Sequence, residues 1–187
     1  MARDHPADRA AARPRPKKLD YEALREYALR LLTARNYSVA ELRDRLRRRA
    51  ARASDAVRVV ERLRELGYLD DRKYAELYAR LRLENDGFGQ SRVVRDLIRK
   101  KIPRQLAEEA AAEVFAGADE EALIEGFLER KYRKVSLPEH LAEPRNLASV
   151  YRRLRYAGFS GAGIIRVLRR YSEQAESLDG AGEAEEL

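Results

Sequence analysis

The sequence predicts an all-α chain of nine helices, grouped as three tandem three-helix, helix-turn-helix-like repeats. The first observation behind this is a recurring segment: Ala40–Ala50 aligns with Ser91–Lys101 and with Ala148–Gly158. Leu46, Leu97 and Leu154 fall in register at spacings of 51 and 57, and Leu42, Val93 and Val150 stand four residues before them. Positions i and i+4 share one helix face, so each copy presents an apolar pair on one side and charges elsewhere. A period of this length marks stacked units, each too small to bury its apolar face alone. The second observation is that apolar residues elsewhere step by three and four, while no stretch sustains the two-residue alternation of a half-buried strand. The third is composition: 44% hydrophobic with 38% charged residues favours helices with narrow apolar stripes and wide solvated faces.

Residues 1–19, with Arg13-Pro-Arg-Pro-Lys17, lack periodicity and read as a disordered basic arm. The first repeat, 20–69, opens with Asp20 as cap and a stripe of Tyr21, Leu24, Tyr27, Ala28, Leu31 and Leu32. Asn36-Tyr-Ser38 interrupts it, and Ser38 with Glu41 forms a capping box for the second helix, with Tyr37 placed as a staple. After Ala51-Arg-Ala-Ser54, either Ser54 or Asp55 is expected to cap a third helix bearing Ala56, Val59, Val60, Leu63 and Leu66. Gly67 then stands where a left-handed residue ends the helix.

The second repeat, 70–117, has Asp70 as cap and Tyr74, Leu77, Tyr78 and Leu81 as its first stripe, stopped near Asn85-Asp-Gly87. Phe88-Gly-Gln-Ser91 leads into a helix with Val93, Val94, Leu97 and Ile98. Pro103 suits the first turn of a helix with Leu106, Ala110 and Val114. The third repeat, 118–172, follows Asp119 as cap, with Leu123, Ile124, Phe127 and Leu128 inward. Its Lys134–Pro144 connection holds two prolines, interrupts helix and accounts for the longer spacing. Leu147, Val150, Tyr151 and Leu154 mark the next helix, and Ile164, Ile165, Leu168 and Tyr171 the last, after Gly158-Phe-Ser160. Residues 173–187 read as a disordered acidic tail.

Formal net charge is +7, unevenly placed: residues 21–171 carry +10, whereas the tail from Ser172 carries −6. A helical middle this basic is a footprint for polyanions. No cysteine is present, so disulfides and thiolate metal ligands are excluded. His5 and His140 are isolated and give no metal-ligand spacing. No apolar run is long enough to span a membrane, and the N-terminus has no apolar core of a signal peptide, so the expected compartment is the cytoplasm. With no glycine-rich phosphate loop and no convergent carboxylates, the expectation is a non-enzyme without catalytic residues, cofactor or metal.

Gly67-Tyr-Leu-Asp-Asp71, followed by Tyr74-Ala75 and Tyr78, resembles the signature of the RecX family, bacterial regulators of the RecA recombinase. Tyr37-Ser38 with Glu41-Leu42, Gly89 with Arg92-Val93 and Leu97, and Arg155 with Gly158-Phe159-Ser160, Ile164 and Val167-Leu168 resemble its successive repeats. The similarity covers about residues 21–171. Gln90 stands where proline is usual in that family, and Lys101 and Ala50 where glycine is usual. The resemblance implies an elongated, curved array lying along the RecA–single-stranded DNA filament. It further implies an inhibitor that limits filament growth or activity and so damps recombination and the SOS response. The RecA nucleoprotein filament, with single- or double-stranded DNA, is then the expected partner, and a monomer the expected state.

Candidate filament- or DNA-binding residues are Arg43, Arg47, Arg92, Arg95, Arg99, Lys100, Arg152, Arg153 and Arg155, which recur on the second helices. Stacked repeats would align them as a basic stripe for phosphates or an acidic protein groove. The competing reading is a set of solvated helix faces, favoured where Asp44 or Asp96 lies nearby. Gly67, Tyr68, Asp70 and Asp71 are assigned structural work: Gly67 ends a helix, Tyr68 and Leu69 pack the joint between repeats, and Asp70 caps the next helix. Tyr27, Tyr74, Tyr78 and Phe127 belong to apolar stripes, while Tyr132 and Tyr156 could stack bases although nothing in the sequence singles them out. A direct DNA-binding helix-turn-helix protein is the alternative, weakened by the scarcity of Asn and Gln on these helices. A nuclease would need a carboxylate cluster that the sequence does not offer.

Overall fold

Five of the α-helices described start on a capping side chain, and three end on a left-handed residue. The structure, a computed structural model, describes residues 18–178. Nearly all of the expected basic arm and the 179–187 part of the expected acidic tail lie outside the described residues. Two compact units are present, residues 18–35 with 42–68 and residues 36–41 with 69–178.

In the first unit, Asp20 Oδ1 accepts from the Ala23 amide at 3.0 Å and starts α1 (Tyr21–Ala34). Helices α2 (Val39–Arg49) and α3 (Ala53–Glu65) follow. Leu24, Ala28, Leu42, Leu46, Ala56, Val59, Val60 and Leu63 are buried together as the core. An isolated parallel bridge joins Leu19 to Ala50: the Leu19 amide donates to Arg49 O at 2.8 Å and the Ala51 amide to Leu19 O at 2.7 Å. The expected cap at Ser54 or Asp55 is corrected, because α3 begins earlier, with Arg52 as N-cap and no side-chain bond. Asp55 lies inside the first turn instead, 4% exposed, with Arg52 and Arg58 nitrogens at 3.7 and 3.8 Å. A carboxylate there complements the positive end of the helix dipole. Leu66, expected on the stripe, is 51% exposed, because the helix ends before its face turns back to the core.

In the second unit, the capping box of α2 is formed: the Glu41 amide donates to Ser38 Oγ at 3.1 Å and the Ser38 amide to Glu41 Oε2 at 3.5 Å, with Tyr37 buried beside it. Two further bonds tie this turn down. Ser38 Oγ donates to Lys100 O at 2.8 Å, and the Val39 amide donates to Asp71 Oδ1 at 2.9 Å. Asp70 Oδ1 accepts from the Arg72 and Lys73 amides at 2.9 and 3.1 Å, starting α4 (Asp71–Leu81). The two aspartates of the signature thus serve two helix starts.

Helix α4 widens into a π-turn at Arg82–Asp86, where Arg82 bonds Asp86 at 2.6 Å and the Tyr78 hydroxyl at 2.9 Å. Helices α5 (Gln90–Arg99) and α6 (Arg104–Phe115) complete this repeat around Tyr74, Ala75, Ala79, Val93, Leu97 and Ile102. Ala107, Ala110 and Ala111 of α6 are buried, and such small residues permit close helix approach. Leu77 and Leu81 of the expected stripe are 41% and 45% exposed; the buried stripe runs through Tyr74, Ala75 and Ala79.

Asp119 caps α7 (Glu120–Tyr132) through the Glu121 and Ala122 amides. The Lys134–Pro144 connection then holds a short helix, α8 (Leu137–Leu141), with Pro138 in its first turn and Leu141 fully buried. Ten α-helices are therefore present among the described residues, where nine were expected. The prolines interrupt one helix but permit a new first turn. Helices α9 (Pro144–Ala157) and α10 (Gly161–Leu168), the latter capped by Ser160, close over Ile124, Leu128, Leu147, Val150, Leu154 and Phe159. The first residues of the expected disordered tail form a 3-10 helix, Glu173–Leu178, because Ala175 and Leu178 find apolar surface on this core.

Three helices end in the same motif. At Gly67 (φ +76°), Lys101 (φ +64°) and Gly158 (φ +96°) the chain turns left-handed. The next amides reach back five residues: Tyr68 to Leu63 O at 2.9 Å, Ile102 to Leu97 O at 3.1 Å, and Phe159 to Leu154 O at 3.3 Å. These are Schellman closures, and Ile102 and Phe159 bury the apolar contact that accompanies them. Tyr68 does not; it is 60% exposed, which corrects its assignment to a packed joint. Lys101 bears a Cβ in a conformation that favours glycine.

Gly158 has a second constraint. The Gly89 amide donates to Ala157 O at 2.9 Å and the Ser91 amide to Gly158 O at 3.2 Å, docking the start of α5 on the end of α9. A Cβ on Gly89 would lie 2.3 Å from the Gly158 carbonyl, and one on Gly158 would lie 2.3 Å from the Arg92 amide nitrogen.

These helix ends and caps set the expected stability of variants. Lys101→Gly removes left-handed strain and should stabilise the chain by about 1 kcal/mol, a Tm rise of roughly 2–4 °C by calorimetry. Gly158→Ala combines strain with a backbone clash and should cost about 3 kcal/mol in chemical denaturation. Asp70→Ala should cost about 1 kcal/mol through loss of the cap, seen as a lower denaturation midpoint.

Candidate polyanion-binding site

The glycine joint sets α5, the start of α6 and the end of α9 around one cleft. Val93 and Leu97 turn inward from α5, which leaves Arg92, Arg95 and Arg99 on the opposite side of the helix. A hollow of about 330 Å³ lies among Arg92, Arg95, Arg99, Arg104 and Tyr156. A second, of about 500 Å³, shares Arg95, Ile98 and Arg104 with the first and extends to Ser91 and Arg155. Five arginines therefore face this surface, against the carboxylates of Asp96 and Glu108.

Asp96 organises the inner end. It is 5% exposed, lies 3.2 Å from Arg92 Nε, is bonded by Arg99 Nη2, and accepts from the Tyr78 hydroxyl at 3.4 Å. Burial raises the Tyr78 pKa, which keeps the hydroxyl a donor. Burial opposes the charge on Arg92, but Tyr156 and Asp96 outweigh it and leave the guanidinium pKa raised. One buried carboxylate thus fixes two guanidinium groups without matching their summed charge.

The remaining arginines are aimed largely by carbonyls. Arg95 donates to Ser91 O at 3.3 Å and to Tyr156 O at 2.9 Å. Arg155 donates to Phe159 O at 3.2 Å. Arg104 pairs with Glu108 at 3.2 Å, both side chains being largely exposed. The carbonyl bonds of Arg95 orient its guanidinium while leaving its net charge available to an anion.

Of the candidates from sequence, Arg92, Arg95, Arg99 and Arg155 meet in this cleft. Lys100 points elsewhere, 3.6 Å from Glu41 and 5.3 Å from the Tyr78 ring centre. Arg153 lies over Tyr132 at 5.7 Å, and Arg152 is exposed on α9 without lining the cleft. Arg43 and Arg47 are exposed on the part of α2 in the first unit. Arg104 was missed because it opens a third helix, outside the repeated segment. Tyr156 had a weak signal: it occupies the repeat position held by Arg48 and Arg99. Among the described residues, no three His, Asp or Glu side chains gather as a metal site would require. No helix among them is long and apolar enough to cross a membrane.

Comparison with known proteins agrees with this architecture. Family models of the first and second three-helix domains of RecX match residues 25–63 and 70–110. Regulatory protein RecX of Trichlorobacter lovleyi is 34% identical over 141 residues, which cover 75% of this chain and 90% of that protein. Regulatory protein RecX of Deinococcus radiodurans is 33% identical over 173 residues, 90% of this chain and 80% of that protein. The crystal structure of RecX from Lactobacillus salivarius shares the fold, with a TM-score of 0.63 at 20% identity over 81% of this chain and 96% of that one. On the matched domains, the relatives aligned along most of their length and the shared helical architecture, the chain belongs to the RecX family.

Proposed function

We propose that the protein is a non-catalytic regulator that binds the RecA–single-stranded DNA filament and limits its growth or activity. In the cytoplasm this would damp recombination and the SOS response. The relatives at 33–34% identity carry the name regulatory protein, which supports the general role. The observation that carries the binding reading is the cleft, where five arginines converge and Asp96 and Glu108 are the carboxylates that line it. A filament displays phosphate along its length, and converging guanidinium groups attract it over roughly a Debye length at physiological salt. Arg43 and Arg47, exposed on α2, add to the basic surface of the first unit. No bond-making step is assigned to any side chain; occupancy of the filament is itself the regulatory act, exerted by a monomer.

The test is the ATPase of RecA on single-stranded DNA, with the protein titrated well below one copy per RecA. The wild-type chain should depress it. Arg95→Ala combined with Arg104→Ala should raise the concentration needed about tenfold with helicity unchanged. The slope of log affinity against log salt should fall by about one for each phosphate that the variant no longer neutralises. Unchanged inhibition and salt slope would remove the cleft from the binding face.

A further inference from the structure

We infer that Tyr156 is a stacking platform for an unpaired nucleobase, which makes the cleft selective for single-stranded nucleic acid over duplex. The inference rests on the proposed function and names the ligand of the same cleft. Among the described residues, Tyr156 and Tyr68 are the tyrosines exposed beyond half of their surface, at 64% and 60%. Of these two, Tyr156 lines the basic cleft and Tyr68 does not. Tyr132, the other exposed-aromatic candidate from sequence, packs on the third repeat's core with its ring 5.4 Å from His140.

The surroundings of Tyr156 match what a base requires. Arg92 lies over the ring at 4.6 Å from its centre and Arg95 at 5.7 Å, while 64% of the residue stays open to solvent. Arg95 also bonds the Tyr156 carbonyl at 2.9 Å, which pins the backbone that carries the ring. An aromatic ring beside guanidinium planes is the set on which unpaired bases stack, the ring taking the base and the cations the flanking phosphates. Bases in a duplex already stack on each other and cannot offer a free face. An acidic peptide would use the arginines but would gain less from the exposed tyrosine.

The chain contains no tryptophan, so Y156W introduces a single indole whose fluorescence reports stacking directly. The probes are a dT12 oligonucleotide, a 12-unit abasic strand with the same phosphates, a 12-base-pair duplex, and poly-glutamate. Expected results are quenching of the Y156W indole by dT12 and not by the abasic strand or poly-glutamate. Tyr156→Ala, an exposed position, should lose about 5- to 150-fold in dT12 affinity while its weaker abasic affinity stays the same. Equal affinity of the wild-type chain for dT12 and the abasic strand, with the indole unquenched, would overturn the platform. Duplex or poly-glutamate binding as tightly as dT12 would overturn it too. Failure of the proposed function looks different: the Arg95→Ala, Arg104→Ala protein would inhibit RecA normally, whatever the oligonucleotides do to the indole.

Discussion

The second unit depends on two backbones lying against each other at Gly89 and Gly158 with no room for a side chain on either. The amides of Gly89 and Ser91 bond the carbonyls of Ala157 and Gly158, so the junction is made by main chain. Phe88, immediately before it, packs on both apolar clusters of this unit. Those features fix the rotation of α9 against α5. They also bring Arg155 and Tyr156 across from Arg92, Arg95 and Arg99, residues more than fifty positions away in sequence. The cleft is a consequence of that joint rather than of any one helix.

Electrostatics then decides what the cleft can hold. Five guanidinium groups so close would repel one another if each were fixed only by its stem. Asp96 relieves that at the inner end, and carbonyl oxygens at Ser91, Tyr156 and Phe159 orient two more. Carbonyls supply direction through their dipoles without cancelling charge. The result is positive charge held in place before a ligand arrives, which lowers the ordering cost of binding.

Most of the fold was legible because it is written in local chemistry. Asp20, Ser38, Asp70, Asp119 and Ser160 cap helices whose stripes repeat at helical spacing, and the in-register pairs from Leu42–Leu46 to Val150–Leu154 are all buried. What escaped was non-local. Helix α8 forms because Leu141 finds a core made by residues elsewhere in the chain, and Glu173–Leu178 is ordered for the same reason. The site was half legible. Periodicity identified the arginines of α5 and α9 but could not say that Lys100 pairs with Glu41 or that Arg104 approaches from a different helix. Tyr156 was named from sequence together with Tyr132, and only its neighbours in the cleft tell the two apart.

The last position of the recurring segment is occupied by Ala50, Lys101 and Gly158, and each copy has solved a different geometric problem there. Ala50 is locked in a bridge to Leu19, Lys101 tolerates a left-handed turn, and Gly158 admits a neighbouring backbone. The copies are consequently no longer interchangeable parts. A lysine in the place of Gly158 would drive its Cβ into the Arg92 amide, whereas a glycine in the place of Lys101 brings no added atom. Exchange at this position is one-sided: glycine suits the left-handed turn at 101, and a residue bearing a Cβ does not suit 158.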